Sequence, residues 1–75
     1  MSNNRIHNNI RKLRFFNNEV TQQQLAERVG VTRQTIIAME QEKYSPSLEL
    51  AFRIARVFNV PLDEVFTYDS GDEAG

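Results

Sequence analysis

The sequence predicts an all-α domain of five helices. Apolar residues recur with helical spacing in five segments, capping residues separate those segments, and the 75 residues include only three glycines and two prolines. A chain of this length fills one hydrophobic core and not two. We therefore expect one domain over residues 1–68, followed by an acidic tail at residues 69–75 that has nothing to bury and is disordered.

Helix one lies between residues 5 and 16, where three apolar residues recur at i, i+4 and i+7: Ile6, Ile10 and Leu13. Two phenylalanines, Phe15 and Phe16, end this segment. Neighbouring side chains on a helix point about 100° apart, so both rings cannot face inward. We expect one ring to pack under the following loop and the other to be partly exposed.

Helix two begins at a capping box, in which Thr21 and Gln24 satisfy backbone amides that have no partner within the helix. It ends near Val29, and Gly30 follows where the chain must turn with positive φ. Ala26 must be small because helix three crosses closely over helix two at that point.

Helix three begins after its N-cap, Thr32, and runs to about Glu42 with Ile36 and Met39 on its inner face. Only about three residues separate helices two and three. So short a link makes the two helices cross at a steep angle. The pair therefore forms a helix-turn-helix unit.

Two further helices follow a loop at Pro46. Ser47 caps helix four, whose apolar face consists of Ala51, Ile54, Ala55 and Phe58. Pro61, followed by acids at positions 63 and 64, begins a short helix five. Its apolar face consists of Leu62, Val65 and Phe66.

The charge is divided unequally along the chain. Residues 1–60 carry nine basic and five acidic side chains, a net charge of +4, whereas residues 61–75 carry five acids and no base. The formal net charge of −1 therefore conceals a basic body with an acidic end. A basic body suits an anionic partner, and the acidic end either improves solubility or limits loose binding to that partner.

The composition excludes several classes of protein. Cysteine is absent and His7 is the only histidine, so the chain supplies no disulfide, no zinc site and no cysteine nucleophile. No apolar run approaches the roughly 20 residues of a membrane span, and the first residues lack the apolar core of a signal peptide. We expect a cytoplasmic protein that is not an enzyme, contacts no membrane and needs no cofactor, metal or small-molecule ligand.

Residues 21–36, TQQQLAERVGVTRQTI, closely resemble the helix-turn-helix of the Cro/C1-type (XRE) family of transcriptional regulators. The resemblance extends from about Ile10 to Phe66 and includes the small Ala26 and the turn residue Gly30. It implies a lambda-repressor-like fold and sequence-specific binding to double-stranded DNA. Compact repressors of the family, such as the cytolysin repressor, are similar in length.

The outer stripe of helix three is expected to read bases. Arg33 can donate two hydrogen bonds to guanine, and Gln34 can bridge to adenine. The Thr35 methyl group or Ile37 can contact a thymine methyl group. The resemblance places the family's base-contacting positions at residues 33, 34, 35 and 38, which adds Ala38. The alternative is that these are ordinary solvated positions.

The ends of the unit are expected to contact the DNA backbone. Thr21 and Gln22 begin helix two, and Lys43, Tyr44 and Ser45 follow helix three. Such contacts position helix three without reading the sequence. For Tyr44, packing within the domain is an equally good alternative.

The resemblance also implies an ion pair within the domain. In the family, an arginine near the end of helix one pairs with a glutamate near the end of helix three, and these correspond here to Arg14 and Glu40. This sequence has one more residue than the family pattern between that arginine and the first glutamine of helix two. We therefore expect the loop from Phe15 to Val20 to bulge, and a free surface arginine is the alternative.

The leading hypothesis is a repressor that binds a palindromic operator as a homodimer and blocks the polymerase. The dimer interface is expected to use apolar residues near the C-terminal end, which the sequence does not separate from the core: Phe58, Val60, Leu62, Val65, Phe66 and Tyr68. The alternative is an antitoxin-like module whose C-terminal region binds a partner protein.

Overall fold

Five helices and two short strands form the fold of residues 6–69, which are the residues that the computed structural model describes. In chain order the elements are β1 (Ile6–Asn8), α1 (Ile10–Phe16), α2 (Gln22–Val29), α3 (Arg33–Glu40), α4 (Leu48–Phe58), α5 (Leu62–Val65) and β2 (Phe66–Tyr68). The five predicted helices are confirmed, with a two-stranded sheet in addition. Within residues 6–69 no helix is long and apolar enough to cross a membrane.

The predicted start of helix one is wrong, because α1 begins at Ile10 and a strand precedes it. β1 pairs with β2 in antiparallel register, with Ile6 opposite Tyr68. Asn8 is the last residue of the strand. Its carboxamide oxygen accepts the Ile10 amide at 3.1 Å, and its Nδ2 donates to the Met39 carbonyl at 2.7 Å. Short polar side chains that bond to nearby backbone groups compete in this way with helix formation.

Capping residues begin α2, α3 and α4, and end α2, at the predicted places. Thr21 accepts the Gln24 amide at 3.0 Å, and the Gln24 side chain accepts the Thr21 amide at 2.9 Å, which completes the capping box. Thr32 caps α3 and Ser47 caps α4, each by accepting one backbone amide. Gly30 ends α2 with a φ of 81°, a left-handed conformation that glycine adopts without steric cost.

The loop between α1 and α2 accommodates the extra residue by bulging, as the sequence predicts. Asn18 and Glu19 adopt left-handed φ values of 63° and 55°. The Arg14 carbonyl accepts the Asn17 amide at 3.2 Å and the Val20 amide at 3.1 Å. Val20 is buried, so the loop is anchored in the core at its far end. Left-handed residues other than glycine are uncommon and depend on such anchoring.

The end of α3 differs slightly from the prediction. The helix stops at Glu40 and not near Glu42, because Glu42 takes a left-handed φ of 63° that cannot continue a right-handed helix. The Lys43 amide then donates to the Ala38 carbonyl at 2.9 Å. The loop that follows α3 is therefore tied back to the last turn of the helix.

One hydrophobic core connects all five helices. Its largest fully buried side chains are Ile10, Leu25, Val29, Ile36, Met39, Ile54 and Val65. Burial of a large aliphatic side chain contributes about 1.5–3 kcal/mol, so this core is the main source of stability in a chain without cysteine. Ala26 is fully buried on α2, which packs against α3 and α4, and a larger side chain there would force the helices apart.

Two expectations about apolar residues are wrong. Phe15 and Phe16 are 63% and 67% exposed, so neither ring packs under the loop, and the two rings meet edge to face with centroids 5.4 Å apart. Phe58 and Val65 are 4% and 0% exposed because they belong to the core of the single chain. They are therefore unavailable to the dimer interface for which the sequence made them candidates.

His7 lies between two carboxylates that follow different elements. Its Nδ1 is 3.0 Å from Glu42 Oε1, just after α3, and its Nε2 is 3.6 Å from Asp69 Oδ2, just after β2. Asp69 is the one residue of the predicted acidic tail that is described, since residues 70–75 lie outside the described residues. The hydrogen bond to Glu42 raises the pKa of His7 above its ordinary value; desolvation opposes this effect, and Asp69 adds to it.

We predict that His7 stabilises the fold more strongly at acidic pH. Because the pKa is higher in the folded chain, the stabilisation is complete below the unfolded value of about 6.5 and is lost as the pH rises through the folded pKa. The free energy of unfolding is measured in urea at a series of pH values for the wild type and for His7→Gln. The difference between the two proteins should decrease as the pH rises from about 6.5 through the folded pKa of His7. Parallel curves for the two proteins would contradict the prediction.

Candidate nucleic-acid interface

The outer face of α3 carries the five residues predicted to contact bases. Arg33 and Gln34 are exposed, and Thr35, Ile37 and Ala38 are partly exposed. The Thr35 hydroxyl lies 3.0 Å from the hydroxyl of the N-cap threonine, so it is already engaged in holding the first turn. The opposite face of the helix is buried in the core. The helix is thus fixed from behind and at its start, with its outer side chains open to a partner.

A concave surface lies between α3, the start of α2 and the end of α1. We call it the α1–α3 cleft, and its lining residues are Arg11, Arg14, Phe15, Glu19, Val20, Thr21, Gln22, Gln23, Arg33, Ile37, Glu40 and Gln41. It therefore brings two predicted base-contacting residues, Arg33 and Ile37, together with two predicted backbone contacts, Thr21 and Gln22. The other predicted contacts lie outside the cleft: Gln34, Thr35, Ala38, Lys43, Tyr44 and Ser45.

An ion pair between Arg14 and Glu40 lies in the α1–α3 cleft. Arg14 Nε donates to Glu40 Oε2 at 2.7 Å and Arg14 Nη2 donates to Glu40 Oε1 at 3.0 Å, so the pair is bidentate. The two side chains are only 17% and 10% exposed. Gln22 Nε2 also donates to Glu40 Oε1 at 3.0 Å, and Arg14 Nη1 donates to the Val20 carbonyl at 3.2 Å. These bonds join α1, α2 and α3 despite the extra residue in the loop.

The cleft has a slight excess of positive charge. Its lining includes three arginines and two glutamates. Arg14 and Glu40 neutralise each other, which leaves Arg11 and Arg33 against Glu19. Glu40 is the only acidic residue of α3, and the ion pair occupies it. The side of α3 that faces outward therefore presents no carboxylate that would repel an anionic partner.

The predicted backbone contacts beyond α3 lie in the loop that is tied to the Ala38 carbonyl. Lys43, Tyr44 and Ser45 are all exposed. Tyr44 is 46% exposed. Both roles considered for Tyr44, DNA contact and packing, are compatible with this position.

Comparison with known proteins identifies the family. The model of the helix-turn-helix family matches residues 10–65. The chain belongs to the Cro/C1-type helix-turn-helix family. A protein of Methanocaldococcus jannaschii named as an HTH-type transcriptional regulator is 46% identical over 63 residues, covering 81% of this chain and 96% of that protein. One of Methanothermobacter thermautotrophicus, similarly named, is 59% identical over 51 residues, covering 67% and 74%.

A solved structure is also similar to this chain. The crystal structure of a "putative DNA-binding protein" from Bacteroides fragilis aligns with a TM-score of 0.74 and 26% sequence identity, over 83% of this chain and 98% of that chain. The protein is thus a DNA-binding transcriptional regulator of the helix-turn-helix type, and that family is not a family of enzymes. These relatives give no support to the antitoxin-like alternative.

Six residues that line the cleft were not among the predicted site residues: Arg11, Phe15, Glu19, Val20, Gln23 and Gln41. One signal was present: Phe15 falls outside the apolar stripe that Ile10 and Leu13 define on α1. An apolar residue off the buried stripe of a helix has to face solvent or a partner. Its position beside α3 depends on how α1 packs against that helix, which the periodicity of α1 alone does not specify.

We predict that Glu40→Leu lowers the free energy of unfolding by about 3 kcal/mol. The Arg14 charge, which is largely shielded from solvent, then has no partner. The double variant Arg14→Met, Glu40→Leu should recover part of this loss, since neither charge is then desolvated. Urea unfolding of the wild type, both single variants and the double variant measures the coupling. Strictly additive losses would show that the two side chains act independently.

Proposed function

We propose that the protein is a repressor that inserts α3 into the major groove and reads the base sequence there. The outer face of α3 carries this proposal, because Arg33 and Gln34 are exposed and Glu40 is held by Arg14. A capped helix that is anchored in the core holds its side chains in nearly fixed positions. Hydrogen bonds to base edges then cost little conformational entropy.

Each outer residue of α3 has a chemically suitable target on a base edge. Arg33 donates two hydrogen bonds to guanine O6 and N7, and Gln34 bonds to adenine N6 and N7. Ile37 and the Thr35 methyl group contact thymine methyl groups. Ala38 is small enough to let the helix approach the bases closely.

The residues that flank α3 hold the duplex by its backbone. The side-chain nitrogen of Gln22, Nε2, has two hydrogens. Glu40 accepts one of them, so the other is available to a phosphate. Thr21 begins α2, where unpaired backbone amides favour anions. The exposed loop after α3 contributes the remaining contacts: Lys43, Tyr44 and Ser45.

We infer that two copies associate through the surface around β2. Leu62, Phe66 and Tyr68 line one mainly apolar groove together with Ile6, and Val60 is half-buried nearby in the chain. An isolated two-stranded sheet is only marginally stable in water, so covering it with a second copy is favourable. A two-fold dimer would present its α3 helices about 34 Å apart, which requires a palindromic operator, and binding at a promoter would exclude the polymerase.

We assign residues 1–68 to the DNA-binding domain and residues 69–75 to an acidic tail. The last element of the fold, β2, ends at Tyr68, which supports this boundary. The curated relatives are proteins of archaea and bacteria, whose chromosomes lie in the cytoplasm, and we expect this protein to act in that compartment.

Arg33→Ala is expected to weaken binding by about 1–3 kcal/mol and to relax the preference at one base position, because a bidentate contact to guanine is lost. Lys43→Ala should weaken binding to all sequences alike and lower the salt slope by about one unit. Duplexes selected from a random pool, measured at two salt concentrations beside scrambled duplexes, test both. Equal losses on selected and scrambled duplexes for Arg33→Ala would refute the base-reading role.

Tyr68→Asp is expected to shift the protein from dimer to monomer, because it places a charge in the apolar groove on β2. Sedimentation equilibrium measures the shift. Phe52→Asp is the matched control, since Phe52 is a 50% exposed aromatic residue on α4 outside that groove. If both variants associate as the wild type does, the dimer surface lies elsewhere.

A further inference from the structure

The end of α1 forms one wall of the α1–α3 cleft. The proposed function gives this wall no role in binding. Phe15 is 63% exposed and lines the cleft beside Arg11, while Arg33 and Ile37 line it from α3. Phe16 is exposed to a similar extent, 67%, but is not part of the cleft. Both rings line a second, smaller concavity at the end of α1, and of the two only Phe15 also lines the α1–α3 cleft.

The wall is held firmly with respect to α3. Arg14, the neighbour of Phe15, makes two hydrogen bonds to Glu40 on α3 and a third to the Val20 carbonyl. Val20 is in turn buried in the core. The backbone that carries Phe15 therefore cannot swing away from α3 unless this network breaks.

We propose that Phe15 is a DNA contact whose ring packs against a deoxyribose of the strand that borders the groove occupied by α3. This inference rests on the proposed docking of α3. A duplex read by Arg33 has its sugar–phosphate backbone alongside α3, and the α1–α3 cleft is the concave surface on that side. The ring offers an apolar face to the sugar C–H groups, and Arg11 beside it offers a positive charge to the adjoining phosphate.

The position of Phe15 favours a sugar and not a base as its target. Apolar residues that wedge between bases enter the stack from within a groove. Phe15 stands on α1, across the cleft from the helix that would fill the groove. A contact with sugar adds affinity without neutralising a phosphate, so it releases no counterion and leaves the salt dependence of binding unchanged.

The test compares the full-length wild type with Phe15→Ala and with the matched control Phe16→Ala. Each variant loses one exposed ring, and both should keep the thermal midpoint of the wild type. On a duplex selected from a random pool, Phe15→Ala should bind about tenfold more weakly with an unchanged salt slope, whereas Phe16→Ala should bind as the wild type does.

Hydroxyl-radical footprinting on saturated complexes provides a second readout that does not depend on stability. The wild type and Phe16→Ala should protect a deoxyribose beside each half-site that Phe15→Ala leaves accessible. Wild-type affinity and footprint for Phe15→Ala would overturn the inference alone. Equal losses for both variants would also overturn it, because they would indicate that the ring pair serves association between proteins. A wild type that prefers no duplex would overturn the proposed function together with this inference.

Discussion

The bidentate ion pair between Arg14 and Glu40 is the constraint on which the proposed DNA-binding surface depends. It joins α1 to α3, and Gln22 adds α2 through the same carboxylate. A shielded ion pair contributes little net stability, because desolvation offsets most of its Coulomb attraction. Its main effect is on geometry, since two parallel hydrogen bonds restrict how α1 and α3 can be arranged. The hydrophobic core stabilises the fold, and this network orients α3, the helix that we propose reads DNA.

The same ion pair sets the charge of that surface. Glu40 lies on α3 among residues that would approach a polyanion, and an unpaired carboxylate there would oppose binding. Arg14 neutralises it without adding a free positive charge. Glu42, the next acid along the chain, hydrogen-bonds with His7 in β1. The acids near the end of α3 are thus held in side-chain interactions, and the free arginines, Arg11 and Arg33, dominate the field of the cleft.

The helices could be predicted from the sequence because their signals are local. Thr21, Gly30 and Thr32 act within one helical turn of their own positions, so spacing alone indicates where α2 ends and α3 begins. The strands could not be predicted, since β1 pairs with residues at the opposite end of the chain and neither strand exceeds three residues. Phe15 was missed for a related reason: its place in the cleft depends on how α1 packs beside α3, a contact between residues 26 positions apart in the chain that joins Arg14 to Glu40.

The small sheet connects α3 to the proposed dimer surface. Asn8 in β1 donates to the Met39 carbonyl of α3 at 2.7 Å, and the Asn9 amide donates to the Val65 carbonyl of α5 at 2.8 Å. β2, the partner of β1, follows α5 directly and carries Tyr68. A second copy seated on β2 would therefore be linked to α3 through one pair of strands and not through a flexible linker. The separation of the two α3 helices, and with it the spacing of operator half-sites, would then be a property of the folded chain.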